Sequence, residues 1–396
     1  MDEQSTYLMT PSQRLWFDTP VERRHTDSVK WDLAADGEIP LWVADMDFKA
    51  APCIQKALAA KLGQGVFGYT LIGDRFKDAI RGWFSHRHGW EIAREAIIPV
   101  DGLVAGSSIV IKALTEPGDG VLIMNPAYNC FFSSIRNVGC KTLTTQLLYD
   151  SDGRAQIDWN DFEKKASEAK VLLICNPHNP TGRLWSRDEL DRTAEIARRY
   201  GLAVISDEIH NEITRPGTSY IPMATVMPEV ISMISPTKSW NIAGLAISAL
   251  ICPREDWRKA IDRVINVWEH CDLNQFGPAA LEAAYSPEGE EWVDCMREYV
   301  WDNYGLLRDT FATELPDCRV SPLEATYLAW VRLPEGMDDE ELYKNLRERF
   351  KVWINPGTMY GQAGYVRINI ACPRATLQEG LERIVRGLRD LRTAGA

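Results

Sequence analysis

One lysine follows a short apolar run in a setting that suits covalent chemistry. Lys238 ends the sequence Ser-Pro-Thr-Lys at 235–238, which comes directly after the apolar residues 230–234. A lysine that is withdrawn from water near other cations has a lowered pKa, and its neutral amine can form a Schiff base with an aldehyde. A lysine after a strand is also commonly a solvated surface residue. The segment alone therefore leaves a covalent role and a surface role equally open.

Three further side chains follow apolar runs and could bind an aromatic ring. The carboxylate of Asp207 could keep a pyridine nitrogen protonated, the amide of Asn179 could donate to a phenolate oxygen, and the ring of Tyr128 could stack on the pyridine. Each also has an ordinary structural explanation: a helix cap or ion pair for the aspartate, turn chemistry for the asparagine, and core packing for the tyrosine. Their shared position after strands favours a ligand site.

These positions are set by the strands that precede them. The apolar run 171–175 predicts a buried strand, and residues 202–205 predict another. Between them, Ser186 and Glu189 predict the capped start of a helix. A strand-helix-strand crossover makes its two strands parallel. Two more strands are predicted at 121–124 and 230–234. If all four lie in one α/β sheet, the polar residues that follow them meet at the edge where such sheets bind ligands.

Composition excludes several classes of partner. The chain has 396 residues, which suits two domains, and a net charge of -12, which gives no basic surface for nucleic acid or an anionic membrane. Nine cysteines without a Cys-x-x-Cys pair indicate reduced thiols and a cytoplasmic protein. No signal peptide or membrane span is visible. The six histidines show no metal-ligand spacing, so we expect no metal site.

Several motifs in order along the chain resemble one enzyme family. Cys-Asn-Pro-His-Asn-Pro-Thr-Gly at 175–182, Ser-Asp-Glu-Ile-His at 206–210 and Ser-Pro-Thr-Lys-Ser-Trp-Asn at 235–241 resemble fold-type I pyridoxal 5′-phosphate (PLP) enzymes of the aminotransferase class I/II superfamily. Trp-Val-Ala-Asp-Met-Asp-Phe at 42–48 and Gly-Val-Phe-Gly-Tyr at 65–69 are similar to its cystathionine β-lyase branch, the cysteine carbon–sulfur lyases. The resemblance extends from about residue 30 to residue 392.

The resemblance implies a fold and a domain organisation. The expected fold is the α/β fold-type I PLP-dependent transferase fold, with a mostly parallel seven-stranded sheet in a large domain and a smaller α+β C-terminal domain. Residues 1–48 would pack on the small domain, 49–280 would form the large PLP-binding domain, and 281–396 the small domain. The family also implies a homodimer with shared active sites.

The resemblance further implies roles for individual residues. Lys238 matches the Schiff-base lysine that also carries the proton of the substrate α-carbon. Arg367, in Tyr-Val-Arg-Ile-Asn at 365–369, matches the arginine that binds the substrate α-carboxylate, for which a planar bidentate donor is suited. The remaining matches are Asp207 as the partner of the ring nitrogen, Asn179 at the ring 3′-oxygen and at the substrate, Tyr128 as the stacking ring, His210 beside the cofactor, and Ala44 and Asp45 at the substrate.

A separate group of residues is expected to bind the cofactor phosphate. Gly-Leu-Val-Ala-Gly-Ser at 102–107 precedes a helical run, so free backbone amides, with Ala105 and Gly106 among the candidates, could meet the dianion. The hydroxyls of Ser235 and Thr237 could add donors. By family analogy, Tyr69 would come from the neighbouring subunit and also serve in catalysis.

One departure from the family pattern bears on the reaction. Many aminotransferases carry a phosphate-binding arginine eight residues after the lysine, and here that residue is Ala246. The lyase branch lacks it too, which favours elimination. We therefore expect a PLP-dependent β-lyase that cleaves L-cystathionine or another cysteine S-conjugate into pyruvate, ammonia and a thiol. An aminotransferase is the alternative enzyme, and a PLP-binding regulatory protein without turnover is the alternative from another class.

Overall fold

The computed structural model describes residues 9–394. The helices in this part of the chain are α1 (Pro11–Asp18), α2 (Val29–Asp32), α3 (Pro52–Gln64), α4 (Asp74–His88), α5 (Leu103–Leu114), α6 (Asn129–Asn137), α7 (Trp159–Ala166), α8 (Arg187–Tyr200), α9 (Glu255–Val267), α10 (Phe276–Ala284), α11 (Pro287–Glu314), α12 (Asp339–Asn345) and α13 (Arg374–Ala394). None of the helices between residues 9 and 394 is long and apolar enough to cross a membrane.

The strands fall into one large sheet, one small sheet and two short pairs. In chain order they are β1 (Ile39–Pro40), β2 (Ile97–Val100), β3 (Gly120–Asn125), β4 (Lys141–Gln146), β5 (Leu148–Tyr149), β6 (Ala155–Gln156), β7 (Val171–Cys175), β8 (Ala203–Asp207), β9 (Ile231–Ile234), β10 (Ser248–Ile251), β11 (Arg319–Val320), β12 (Leu328–Arg332), β13 (Val352–Trp353), β14 (Asn355–Pro356) and β15 (Tyr365–Asn369).

The large sheet has seven strands in the spatial order β2, β10, β9, β8, β7, β3, β4. Only β10 runs antiparallel to its neighbours within this sheet. Alternate residues of β7 face opposite sides, so that Leu173 packs with α5, α6 and α9, whereas Leu172 packs with α7 and α8. Helices therefore cover both faces, and the apolar character of the central strands follows from burial on both sides. This architecture confirms the predicted fold class.

The predicted crossover between residues 171 and 207 is also confirmed. Ser186 accepts the amide of Glu189, and the Glu189 side chain accepts the amide of Ser186, so the capping box starts α8 as expected. β7 and β8 are parallel neighbours, with Cys175 opposite Asp207. β8 extends to Asp207, two residues further than the apolar run indicated. The aspartate is therefore the last residue of a buried strand and has little freedom to move.

The small sheet is antiparallel and has the order β11, β12, β15, β14. Its middle strand β15 places Arg367 opposite Trp330 on one side and Asn355 on the other. The N-terminal segment joins this part of the molecule, because β1 pairs in parallel with β13 and Phe17 packs against Trp292 of α11. The domain limits remain a proposal. Since α10 continues through residues 280 and 281, we propose the second limit in the turn between α10 and α11.

Candidate active site

A cavity of about 320 Å³ lies at the edge of the large sheet where β2, β3, β7, β8 and β9 end. Its wall is completed by the N-terminal segment and by β15. Among the residues predicted from the sequence, those that line it are Ala44, Tyr128, Asn179, Asp207, His210, Thr237, Lys238 and Arg367. Side chains that are far apart in the sequence thus meet in one place, because parallel strands bring their carboxyl ends to a common edge.

The amine of Lys238 is positioned from across the cavity. Its Nζ atom donates to the backbone carbonyl of Ala44 at 2.6 Å. Burial lowers the pKa of this amine, the nearby charge of Asp45 raises it, and the charge of Arg367 lowers it again. The net direction is downward, which increases the fraction of neutral amine and so suits a nucleophile. The contact also gives Ala44 a role through its backbone oxygen.

Asp207 is a buried carboxylate with little to stabilise its charge. The backbone amide of Ile209 donates to its Oδ1 atom at 3.1 Å, and no cationic side chain forms an ion pair with it among residues 9–394. Burial raises its pKa to about 6, against the smaller opposing effects of the Ile209 amide and the Lys238 charge. A ligand that presents a cationic N–H to this carboxylate would therefore stabilise its charge.

Arg367 is held in place while part of its guanidinium remains without a partner. Nη1 donates to Oδ1 of Asn179 at 2.9 Å, and Nη2 donates to the carbonyl of Trp42 at 3.0 Å. The guanidinium carbon lies 4.5 Å from the ring centre of Tyr360. Nε is buried and finds no acceptor within residues 9–394. Such a guanidinium can bind a carboxylate ligand without first breaking an ion pair.

His210 is a buried, neutral imidazole at the same cavity. Burial lowers its pKa to about 3, and the charges of Lys238 and Arg367 act in the same direction. Its Nδ1 atom is buried without a hydrogen-bond partner in the described chain. The imidazole can therefore exchange a hydrogen bond with a ligand but does not carry a positive charge at neutral pH.

Tyr128 stands at the end of β3 and directly before α6, with its ring at the cavity wall. It packs edge-to-face on Phe131, with ring centres 5.9 Å apart. Burial raises its pKa, so the phenol remains neutral at physiological pH. This position is compatible with the predicted stacking role.

The phosphate-binding segment differs from the prediction. α5 begins at Leu103, so residues 103–107 form its first turns rather than a loop before it. The amide of Gly106 donates to the carbonyl of Gly102 at 2.8 Å and is not free for an anion. A Cβ atom on Gly106 would lie 3.2 Å from Leu250, so this glycine allows close packing of the helix on the sheet. The amide of Ala105, in the first turn, remains a candidate donor.

The two hydroxyls before Lys238 are not equivalent. Thr237 lines the cavity, whereas Ser235 is buried behind it. The Ser235 Oγ atom donates to the carbonyl of Ile247 at 2.8 Å and lies 2.7 Å from Oγ1 of Thr237. Thr237 can therefore reach a ligand, and Ser235 orients it. Direct contact of Ser235 with the phosphate stays a prediction, since without a ligand its proton is donated to the carbonyl of Ile247.

Besides Ala105, Gly106 and Ser235, two more predicted residues do not line the cavity. Tyr69 is 94% exposed on the surface of this chain, in a shallow depression that also contains Phe67 and Phe276. Its predicted contribution from a neighbouring subunit remains a prediction. Asp45 forms an ion pair with Arg23 at 2.7 Å and acts on Lys238 through its charge.

Several lining residues were not predicted, namely Trp42, Cys130, Asn355 and Tyr360. Trp42 belongs to a motif already noted at 42–48, and Cys130 lies two residues after Tyr128, so both could have been found by extending those segments. Asn355 and Tyr360 belong to a region without a recognisable motif. They reach the cavity because β14 pairs with β15.

The donor and acceptor set fits PLP. Asp207 offers a carboxylate without a cationic partner, Lys238 offers an amine for the aldehyde, and the first turn of α5 offers amides for the phosphate. Arg367 adds an anion-binding group for an amino acid. A pyridine ring that carries an aldehyde and a phosphate would complement these groups.

Comparisons with known proteins agree with this site. Residues 37–384 match the family model "Aminotransferase class I and II". The chain is 38% identical to cystathionine β-lyase PatB of Bacillus subtilis, over 93% of this chain and 98% of that protein. The crystal structure of cystalysin from Treponema denticola, which contains PLP, superposes with a TM-score of 0.90 at 31% identity, covering 95% of this chain and 99% of that chain.

A PLP-bound carbon–sulfur lyase from Staphylococcus hominis gives a TM-score of 0.87 at 32% identity, with 94% of this chain and 98% of that chain covered. The expected cofactor is thus the one bound in solved neighbours. The chain therefore belongs to the aminotransferase class I and II family of PLP-dependent enzymes, within its cystathionine β-lyase branch.

Proposed function

We propose that this protein is a PLP-dependent carbon–sulfur β-lyase that acts on L-cystathionine or a similar cysteine S-conjugate. The overall reaction takes up one water and releases a thiol, pyruvate and ammonia. The observation that carries the proposal is that Lys238, Asp207 and Arg367 line one cavity in a chain that is 38% identical to a cystathionine β-lyase. The identity of the sulfur substrate within this class is part of the proposal.

Three residues would divide the work. PLP, when bound, supplies an electron-withdrawing ring conjugated to the substrate α-carbon. Arg367 binds the α-carboxylate, and its contact with Asn179 fixes where that carboxylate lies. Lys238 accepts the proton of the α-carbon at Nζ, since burial favours its neutral form. Asp207 holds a proton at the ring nitrogen. Loss of the sulfur group from Cβ as a thiolate then needs no redox partner.

The distribution of charge favours elimination over transamination. Lys238 and Arg367 are the lysine and arginine residues among those that line the cavity. Ala246 stands where the aminotransferase arginine is expected and contributes no charge. Backbone amides and the Thr237 hydroxyl would then hold the phosphate through neutral donors.

One assay separates the proposed lyase from its alternatives. With L-cystathionine and no keto acid, we expect many turnovers per active site and equal amounts of pyruvate, ammonia and homocysteine. An aminotransferase would stop after a single half-reaction and resume only when a keto acid is added. A PLP-binding regulatory protein would form none of these three products. Lys238→Ala is the matched control, and it should abolish turnover and the absorption of the lysine-bound cofactor. A stall with several S-substituted cysteines would replace the lyase proposal with the aminotransferase.

We also propose a cytoplasmic homodimer in which Tyr69 reaches the partner's cavity. The exposed position of Tyr69 on this chain supports the proposal. Loss of activity in Tyr69→Phe, restored when it is mixed with a Lys238→Ala chain, would test shared active sites, because only the mixed dimer contains one cavity with both native residues.

A further inference from the structure

Two arginines face each other across the small sheet, away from the Lys238 cavity. Arg319 of β11 and Arg332 of β12 are direct cross-strand partners. Like charges directly opposite each other in a sheet are destabilising. Among residues 9–394, neither guanidinium has a carboxylate within 4.0 Å, although most other arginines of the molecule form such pairs. The repulsion between these two cations is therefore not relieved by the protein itself.

The two arginines border a cavity of about 320 Å³ between the small sheet and the β5–β6 hairpin. Its other walls come from Tyr149, Ser321 and Tyr365. The aliphatic part of Arg319 packs on the hairpin, since a Cβ atom at Gly153 would lie 3.0 Å from its Cδ atom. A glycine at this position, with φ at 79°, allows the close approach that places the guanidinium.

Hydroxyl groups add further donors to this cavity. The side-chain oxygens of Ser321 and Tyr365 have no hydrogen-bond partner in the described part of the chain, and both residues line the cavity. The Tyr149 oxygen accepts the indole N–H of Trp330 at 3.1 Å, which leaves its own proton available. The lining thus combines two arginines with four residues that carry a hydroxyl group, Tyr149, Ser151, Ser321 and Tyr365, a set that suits the oxygens of a phosphate.

One carboxylate, that of Asp150, also lines this cavity, but its oxygens already accept hydrogen bonds within the β5–β6 hairpin. Asp150 accepts the amides of Asp152 and Arg154, each at 2.9 Å, through Oδ1, and the side chain of Gln156 at 3.0 Å through Oδ2. These contacts stabilise its charge on the hairpin. With one carboxylate and two guanidinium groups, the wall carries an excess of positive charge on a chain whose net charge is -12.

A neighbouring cavity of about 370 Å³ shares Tyr149, Arg332 and Tyr365 with the first. The two tyrosine rings are stacked, with centres 5.1 Å apart and planes at 28°. A phosphate held between the arginines would therefore have room beside it for an organic group in contact with aromatic rings.

We propose that Arg319 and Arg332 form a binding site for the phosphate of a small phosphate monoester, separate from the cofactor site. The direct test is isothermal titration calorimetry at low ionic strength on enzyme whose Lys238 cavity is loaded with PLP and from which unbound PLP, itself a phosphate monoester, has been removed by dialysis. The probes are inorganic phosphate and adenosine 5′-monophosphate, with adenosine as the ligand that lacks phosphate.

We expect saturable binding of adenosine 5′-monophosphate, weaker binding of inorganic phosphate, and none of adenosine. Arg319→Gln and Arg332→Gln should each weaken binding by about tenfold or more, because each removes a charge-assisted hydrogen bond while keeping the side-chain stem. Arg187→Gln, which removes an exposed arginine on α8, should bind as the wild type does. The two single variants should melt at or above the wild-type temperature, since each relieves the cross-strand repulsion.

Three results would overturn the proposal. The first is no saturable binding of either phosphate probe to the wild-type enzyme. The second is equal affinity in Arg319→Gln, Arg332→Gln and Arg187→Gln, which would mean that the anions respond to overall charge. Tighter binding of inorganic phosphate than of the monoester would restrict the site to the free ion and would contradict the proposed ligand class.

Discussion

Two carboxylates only five residues apart, Asp207 and Glu212, are both buried yet behave in opposite ways. Asp207 accepts one backbone amide and forms no ion pair among the described residues, and burial raises its pKa to about 6. Glu212 is equally buried, but its carboxylate contacts Nε2 of His88 at 2.6 Å and Nε of Arg87 at 2.8 Å. These partners outweigh the effect of burial and lower its pKa to about 2.

The difference shows that the ion-pair partners of a buried carboxylate indicate whether the residue serves the reaction or the stability of the fold. A paired carboxylate holds elements together, and here Glu212 joins the segment after β8 to α4 through His88 and Arg87. A buried carboxylate without a cation is costly, and it makes physical sense where a ligand brings the cation. We therefore expect Asp207 to serve the reaction and Glu212 to serve stability.

Of the two carboxylate variants, Asp207→Asn should have the larger effect on turnover. Asparagine keeps the shape of the side chain but cannot hold a proton at the ring nitrogen as an anion does. We expect turnover at saturating L-cystathionine to fall by about a hundredfold to a thousandfold, as when one preorganised electrostatic contact is removed. Steady-state kinetics with cofactor occupancy measured by absorbance would check this. Unchanged turnover would remove Asp207 from the site.

Glu212→Gln should instead have its main effect on folding. Removal of the Glu212 charge leaves His88 without its carboxylate partner, whereas Arg87 keeps its ion pairs with Glu290 and Asp294. The cost should therefore lie at the lower end of the range for a broken buried ion pair, about 3 kcal/mol. We expect the free energy of unfolding in urea to fall by this amount, while turnover per folded active site stays near the wild-type value. If turnover fell as it does in Asp207→Asn and stability did not change, the distinction between the two carboxylates would be wrong.

In cofactor-free protein, the pH dependence of the free energy of unfolding tests the raised pKa of Asp207. Between pH 4 and pH 6 the folded chain retains the Asp207 proton that the unfolded chain, with an ordinary pKa of 3.8, has released. The folded state then binds more protons, so its stability falls as the pH rises through this window. The change from 3.8 to about 6 corresponds to about 3 kcal/mol. The free energy of unfolding in urea, plotted against pH from 4 to 7, should fall more steeply for the wild type than for Asp207→Asn. Equal slopes would contradict this prediction.

Arg367→Ala should give the smallest of these effects. Loss of a hydrogen-bonded contact to the substrate carboxylate should raise the Michaelis constant by a factor equivalent to about 1.5–3 kcal/mol. Substrates without an α-carboxylate should lose far less. Kinetics with both kinds of substrate would decide, since equal losses would mean that Arg367 acts mainly through Asn179 and Trp42 as a structural residue.

The sequence was sufficient to predict a site residue where a side chain suited to the chemistry follows a recognisable apolar run. Lys238 and Asp207 could be placed because each follows an apolar run, and the capping box at Ser186 located the crossover helix that makes β7 and β8 parallel. Arg367 was different. It lies within a strand whose neighbours carry no local signal, so only the family resemblance indicated its role.

The structure departs from the expected local contacts where the same residues are compatible with several local structures. Gly102 could end a loop or start a helix, and the start of α5 at Leu103 was decided by packing on the sheet, as shown by Gly106 against Leu250. Ser235 was expected to contact a ligand, but its hydroxyl is used by the carbonyl of Ile247, twelve residues later. Contacts that depend on the position of a distant backbone atom cannot be read from spacing.

The attachment of the N-terminal segment has a consequence for the order in which the enzyme can be completed. The stretch that carries Ala44 is held by β13 and by the side chain of Asn369, whose Nδ2 atom donates to the carbonyls of Val43 and Asp45 at 2.6 and 2.9 Å. These partners are synthesised after the strands of the large sheet, whereas the stretch itself is synthesised before them. The large sheet can therefore form during synthesis, whereas the wall that positions Lys238 must wait until residue 369 has emerged.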